Sequence, residues 1–228
     1  MRGLLNRLLS LPLVLALAAA APAGVVVDDF TGDGPLDLVV SEDGAIRLLA
    51  LEKGGAATDV TEQHGLDGVT GVGELRAVDA DDDGRLDLLV LPAAADGALR
   101  LLIRDDEDRF RDATERAGLS GVTSAIAAAF SDLDLDGKLD LLVGTSGGDA
   151  PPVRVWKGAG NGTFQEITAS AGITADAPCM GIAVGDVDFD DLPDVYLSLD
   201  DAPNALWRNT GGGSFAAAEN AAVLAAPG

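Results

Sequence analysis

Between residues 124 and 168 the chain alternates short apolar runs with polar turns. Residues 124–131 are small and apolar, and an acidic loop follows. Residues 139–143 form a β-rich apolar run. Residues 153–156 alternate apolar and polar, as a half-buried strand does. Gly158 to Gly162 supplies turn residues, and residues 163–168 alternate again. The pattern predicts four short strands in about fifty residues.

The same pattern recurs along the chain, and internal repeats decide the architecture before any local reading does. Acidic loops begin at Asp29, Asp79, Asp132 and Asp186, with offsets of 50, 53 and 54 residues. A second landmark keeps step with them: Asp59 with Thr61, Asp112 with Thr114, and Glu166 with Thr168. Gly65-Leu66, Gly118-Leu119 and Gly172-Ile173 form a third. The units run over about residues 25–70, 71–122, 123–176 and 177–225. Four-stranded sheets repeating at this length predict an all-β fold, a β-propeller whose radial arrangement covers most strand edges. A β-sandwich is the competing all-β arrangement. The units look whole, with no split blade left to latch a ring. A closed four-bladed propeller, a partial ring completed by another chain, and a fragment of a longer protein all remain open.

Numbered from its first aspartate, the third loop has Asp132, Asp134, Asp136 and Asp140 at positions 1, 3, 5 and 9, with Gly137 at position 6. The second has Asp79, Asp81, Asp83 and Asp87, with Gly84. The fourth has Asp186, Asp188, Asp190 and Asp194, with Asp191 in place of the glycine. The first has Asp29, Asp33 and Asp37 around Gly34, but Thr31 stands at position 3. Glycine permits the left-handed backbone that closes such a loop, and aspartate adopts it less readily. Hard oxygen ligands at positions 1, 3 and 5, with a carbonyl near 7, describe a calcium site; magnesium, which keeps several waters, suits it less well. An EF-hand is excluded, because position 12 is Val40, Val90, Val143 or Leu197 instead of glutamate. Two carboxylates about 5 Å apart repel by roughly 3 kcal/mol at an effective dielectric near 20. Four in one loop need a cation to close, or else form an open, solvated turn. Up to four Ca²⁺ are expected, held most weakly by the first loop.

Composition narrows the remaining choices. The 228 residues include 15 Lys+Arg and 38 Asp+Glu, a net charge of −23, which argues against nucleic acid as a partner. Fifteen of those acidic residues are the aspartates at positions 1, 3, 5 and 9 of the four loops. With one histidine (His64) and one cysteine (Cys179), the chain can build no disulfide framework and no Cys/His zinc site by itself. His64 is expected in an exposed turn, and Cys179 as a buried thiol. Trp156 and Trp207, each eight residues before a phenylalanine, read as blade-packing residues. Asn161 and Thr163 form a glycosylation sequon, in a turn that favours Asn-Gly for backbone reasons.

Arg2 and Arg7 precede an apolar run of 14 residues, Leu8 to Ala21, that ends in small residues. That is the form of a signal peptide over residues 1–23, too short for a spanning helix of roughly 20 residues. The alternative is an uncleaved anchor. The expected mature chain covers 24–228 and is secreted, periplasmic or displayed at the cell surface, with no membrane insertion after cleavage.

The acidic loops resemble FG-GAP (VCBS-type) repeats, the calcium-binding blades of the integrin α propeller. Segments 164–173 (FQEITASAGI) and 203–215 (PNALWRNTGGGSF) are similar to repeats of bacterial ASPIC/UnbV-type proteins and of cartilage acidic protein. The C-terminal extension that names the ASPIC/UnbV group is missing, and such propellers commonly have seven blades. The resemblance covers nearly all of residues 25–220. It implies an exported, non-enzymatic calcium-binding propeller for adhesion or recognition of an extracellular protein or carbohydrate. Self-association or further blades from a longer chain would complete it. The alternative function is the propeller portion of a larger secreted enzyme, positioning its substrate.

Overall fold

A computed structural model describes residues 24–148 and 150–218. The expected signal peptide and the end of the fourth unit lie outside the described residues. Sixteen strands form four antiparallel four-stranded sheets, each a meander in chain order. The first sheet holds β1 (Val25–Asp28), β2 (Asp37–Glu42), β3 (Ala45–Leu51) and β4 (Ala57–Asp59). The second holds β5 (Val72–Val78), β6 (Asp87–Pro92), β7 (Arg100–Arg104) and β8 (Phe110–Asp112). The third holds β9 (Ala125–Ser131), β10 (Asp140–Thr145), β11 (Val153–Gly158) and β12 (Phe164–Glu166). The fourth holds β13 (Cys179–Gly185), β14 (Asp194–Leu199), β15 (Ala205–Asn209) and β16 (Phe215–Ala217). The predicted strands of the third unit are present, and the acidic loop joins the first two strands of every sheet. The last predicted strand is shorter: it stops at Glu166, and a single helical turn, α1 (Thr168–Ala171), follows.

The core lies between sheets. In β6, Leu88 and Val90 pack toward the first sheet while Leu89 and Leu91 pack toward the third. In β10, Leu141 and Val143 face the second sheet and Leu142 the fourth. Both faces of the middle sheets are buried, so these strands are apolar throughout instead of alternating. Trp156 is buried between the second and third sheets, and Trp207 packs against the seam between the third and fourth, as expected of blade-packing residues.

The repeat landmarks act as joints. Thr61, Thr114 and Thr168 each accept a hydrogen bond at 3.0 Å, from the main-chain N–H of Leu48, Leu101 and Val155, which closes the outer end of the third strand. The glycine landmark lets the next sheet approach. Phe110 N–H donates to the His64 carbonyl at 2.8 Å, and Phe164 N–H to that of Ala117 at 2.9 Å. At Gly118 (φ +76°) a Cβ would lie 2.6 Å from the Phe164 oxygen. His64 itself is half-buried in this joint, its Nδ1 2.6 Å from the Asp108 carbonyl. The expected exposed turn residue is therefore a seam residue, because the following sheet covers it.

Among the described residues the four sheets do not close into a ring. The closed four-bladed arrangement is thereby corrected to an open, partial propeller. The end sheets accordingly keep an uncovered face. Tyr196 and Ser198 of β14 stand where β6 has Leu89 and Leu91, and both are only half-buried. At the other end, Val25 and Val27 of β1 are 46% and 49% exposed.

Candidate metal centres

Each acidic loop is built on two carboxylates that bind backbone. At position 1, Asp79 accepts the N–H of Asp83 (3.1 Å) and of Gly84 (2.9 Å) on its two oxygens. Asp29, Asp132 and Asp186 bind the same two positions of their own loops. At position 9, Asp87 is fully buried and accepts Ala80 N–H (2.9 Å) and Arg104 N–H (2.8 Å), which staples the loop to β7. Asp37, Asp140 and Asp194 repeat this staple to β3, β11 and β15. The first loop differs by one residue: its staple takes the N–H of Thr31, position 3, where the others take position 2.

Two left-handed residues shape every loop. Position 6 is Gly34, Gly84, Gly137 or Asp191, and Asp191 adopts φ +69°, as the sequence required. Position 4 is also left-handed: Gly32, Asp82, Leu135 and Phe189, with φ of 72°, 60°, 60° and 64°. Sequence reasoning missed this second turn, because Leu135 and Phe189 carry no turn signal. Their side chains point outward, Leu135 56% and Phe189 90% exposed.

The loops gather acidic oxygens. Asp79, Asp81 and Asp87 each place one carboxylate oxygen within 4.8 Å of the others. Asp132, Asp134 and Asp136 do the same, as do Asp186, Asp188 and Asp194. Asp83, Asp140 and Asp190 stand outside these groups of three. In the first loop, Asp29, Asp33 and Asp37 form no such group, consistent with Thr31 at position 3. Calcium bonds oxygen at about 2.3–2.6 Å, so opposed ligands lie roughly 5 Å apart.

One further observation fits a cation. At position 3, Thr31 Oγ1, Asp81 Oδ1 and Asp134 Oδ1 are buried and have no hydrogen-bond partner among the described residues. An unpartnered buried oxygen is costly, the more so when charged, so a ligand for it is expected. Burial, then the neighbouring Asp83 and Asp79, raises the Asp81 carboxyl above its ordinary range. Burial pushes Asp87 up to about 7 against the two N–H bonds that oppose it, and raises Asp140 likewise.

Cations of the chain also reach the loops. Lys157 of β11 pairs with Asp134 and lies 3.0 Å from Asp136. Its ammonium depresses the Asp136 carboxyl. Arg208 of β15 pairs with Asp188, and Arg85, inside the second loop, pairs with Asp83. The sequence held a signal for two of these, a basic residue directly after Trp156 and after Trp207, but not their direction.

Four meander sheets, each with a stapled acidic loop between its first two strands, define a propeller-type repeat protein with candidate metal loops. The FG-GAP-like repeat family matches residues 29–90, 79–143 and 132–197, and the chain belongs to that family. No curated protein sequence matches it. Among solved structures, BBS1N in complex with ARL6DN is similar at 18% identity and a TM-score of 0.51, over 86% of this chain and 53% of that one. The V. cholerae biofilm matrix protein Bap1 is similar at 18% identity and a TM-score of 0.50, over 87% of this chain and 28% of that one. An Agrocybe aegerita lectin recognising non-reducing terminal N-acetylglucosamine is similar at 20% identity and a TM-score of 0.48, over 84% of this chain and 50% of that one. At such identities the likeness concerns the fold. The chain spans about half or less of the length of each.

Proposed function

We propose that the chain is an exported, non-catalytic calcium-binding repeat propeller that recognises an extracellular protein or carbohydrate. The observation that carries this reading is a buried, unpartnered position 3 oxygen beside clustered carboxylates in both the second and third loops, Asp81 Oδ1 and Asp134 Oδ1. Asp79, Asp81 and Asp87 would hold the ion in the second loop, Asp132, Asp134 and Asp136 in the third, and Asp186, Asp188 and Asp194 in the fourth. The ion would supply counter-charge, fixing the loop between the first and second strands of each blade. Export is supported by the N-terminal pattern of the sequence, and no helix among the described residues is long and apolar enough to cross a membrane. Phe189 and Leu135 project from the loops and offer apolar contact to a partner beside the bound ions. An exposed aromatic ring held by a rigid turn is a common recognition element.

Calorimetric titration of the chain with calcium tests the metal, and a thermal midpoint raised by calcium and lowered by EDTA is the expected companion. Each site occupied at a hundredfold excess over its Kd adds about 2.7 kcal/mol to native stability. D134A/D136A removes one site's share of that gain. No heat of binding and no shift in midpoint would overturn the reading.

A further inference from the structure

Lys157, Arg208, Ile103 and Ala50 occupy one register position. In β11, Lys157 stands opposite Gln165; in β15, Arg208 opposite Ala216; in β7, Ile103 opposite Arg111; in β3, Ala50 opposite Thr58. From this position the side chain reaches its own blade's acidic loop. Lys157 meets the position 3 and position 5 carboxylates, Asp134 and Asp136, and Arg208 meets the position 3 carboxylate, Asp188. Ile103 is buried in the seam between the second and third sheets and brings no charge to Asp81. Two other cations stand near the second loop. Arg85 pairs with Asp83 at position 5, and Arg116 makes no ion pair or hydrogen bond among the described residues. Neither is hydrogen-bonded to Asp81, whose Oδ1 stays buried and unpartnered.

We propose that Lys157 and Arg208 are built-in counter-cations that compete with a divalent ion for the third and fourth loops, leaving the second loop as the strongest calcium site. This rests on the metal reading above. Calcium at the third loop must displace an ammonium already shared by Asp134 and Asp136, or tolerate a like charge beside it. At the second loop it meets carboxylates with no strand cation between them. The four repeats are therefore a graded set. At low calcium only the second loop is loaded, and the third and fourth stay closed by their own lysine and arginine.

Calorimetric titration of the full chain and its variants with calcium chloride decides this. In the unmodified chain D81N should abolish the tightest class of site, while D134N and D188N leave it. K157M keeps the aliphatic stem and removes the charge. It should tighten calcium at the third loop by about tenfold, and D134N in the same background should erase that gain. I103K should weaken the tight site by a similar factor. A readout independent of calcium separates the roles: in EDTA, K157M should melt below the unmodified chain, and in saturating calcium the difference should vanish. Calcium binding unchanged or weakened in K157M, or equal losses from D81N, D134N and D188N, would overturn the competition alone. Absence of calcium binding in every variant would overturn the metal reading with it.

Discussion

The side-chain amide of Asn209 donates to the main-chain oxygen of Leu133, 2.8 Å away, so the fourth blade holds the acidic loop of the third. The relation recurs with other chemistry. Arg104 Nη1 donates to the Asp29 carbonyl at 3.3 Å, and Gly162 N–H donates to the Ala80 carbonyl at 3.1 Å. The first three loops are each gripped from behind by the following blade. Among the described residues the fourth loop has no such partner, and Val187 within it is 47% exposed.

Asn209 is buried and also donates to the Pro193 carbonyl at 3.1 Å. N209A would leave two acceptors without that donor. The expected loss is about 1–3 kcal/mol, read from urea denaturation. Proteolysis before global unfolding should cut first in the fourth blade, since the change loosens only its seam.

Gly118 and Gly121 separate steric contact from backbone strain. Both have φ +76°, yet a Cβ at Gly118 meets the Phe164 oxygen at 2.6 Å and one at Gly121 meets nothing. G121A should cost about 1 kcal/mol for the left-handed backbone alone. G118A should cost about 1–3 kcal/mol more, because the seam between second and third blades must shift. Paired thermal denaturation of the two variants measures the difference.

Without metal, stability should fall as pH rises from about 4 to 7. Burial lifts Asp87 from an ordinary value of 3.8 to about 7, so the native state keeps a proton that the unfolded chain has released. That contribution is complete below the unfolded value and gone once pH passes the folded one. Asp140 is shifted in the same direction by the same cause. The thermal midpoint in EDTA, followed across this window, should decline, and D87N should flatten the decline while lowering the midpoint overall. A midpoint rising over the window would contradict the assignment.

Phe189 should be dispensable for folding. Its ring is 90% exposed and its backbone is left-handed at φ +64°, a conformation glycine adopts without strain. F189G is expected to leave the thermal midpoint unchanged or raise it, by up to about 1 kcal/mol of stability. A loss above that would show that the ring packs against the protein instead of awaiting a partner.

Much of this molecule is legible in the order of its residues. Aspartates at positions 1, 3, 5 and 9 with a glycine at 6, varied only by Thr31 and Asp191, specify the loops, and short apolar or alternating runs between them specify the strands, because both depend on neighbours within ten residues. The left-handed Asp191 follows from the same local geometry. What the tertiary structure alone decided lies across the seams. His64 is covered because Phe110 of the next blade binds its carbonyl, and Lys157 meets Asp134 because β11 runs beside the loop. Position 9 also ties its loop to the sheet: Asp87 accepts one N–H from its own loop and one from Arg104, which only the folded sheet brings to it. The ring stays open among the described residues for a reason of the same kind. Closure depends on whether the faces carrying Tyr196 and Val25 find a mate, and no local pattern of apolar residues encodes the angle between sheets that would bring them together.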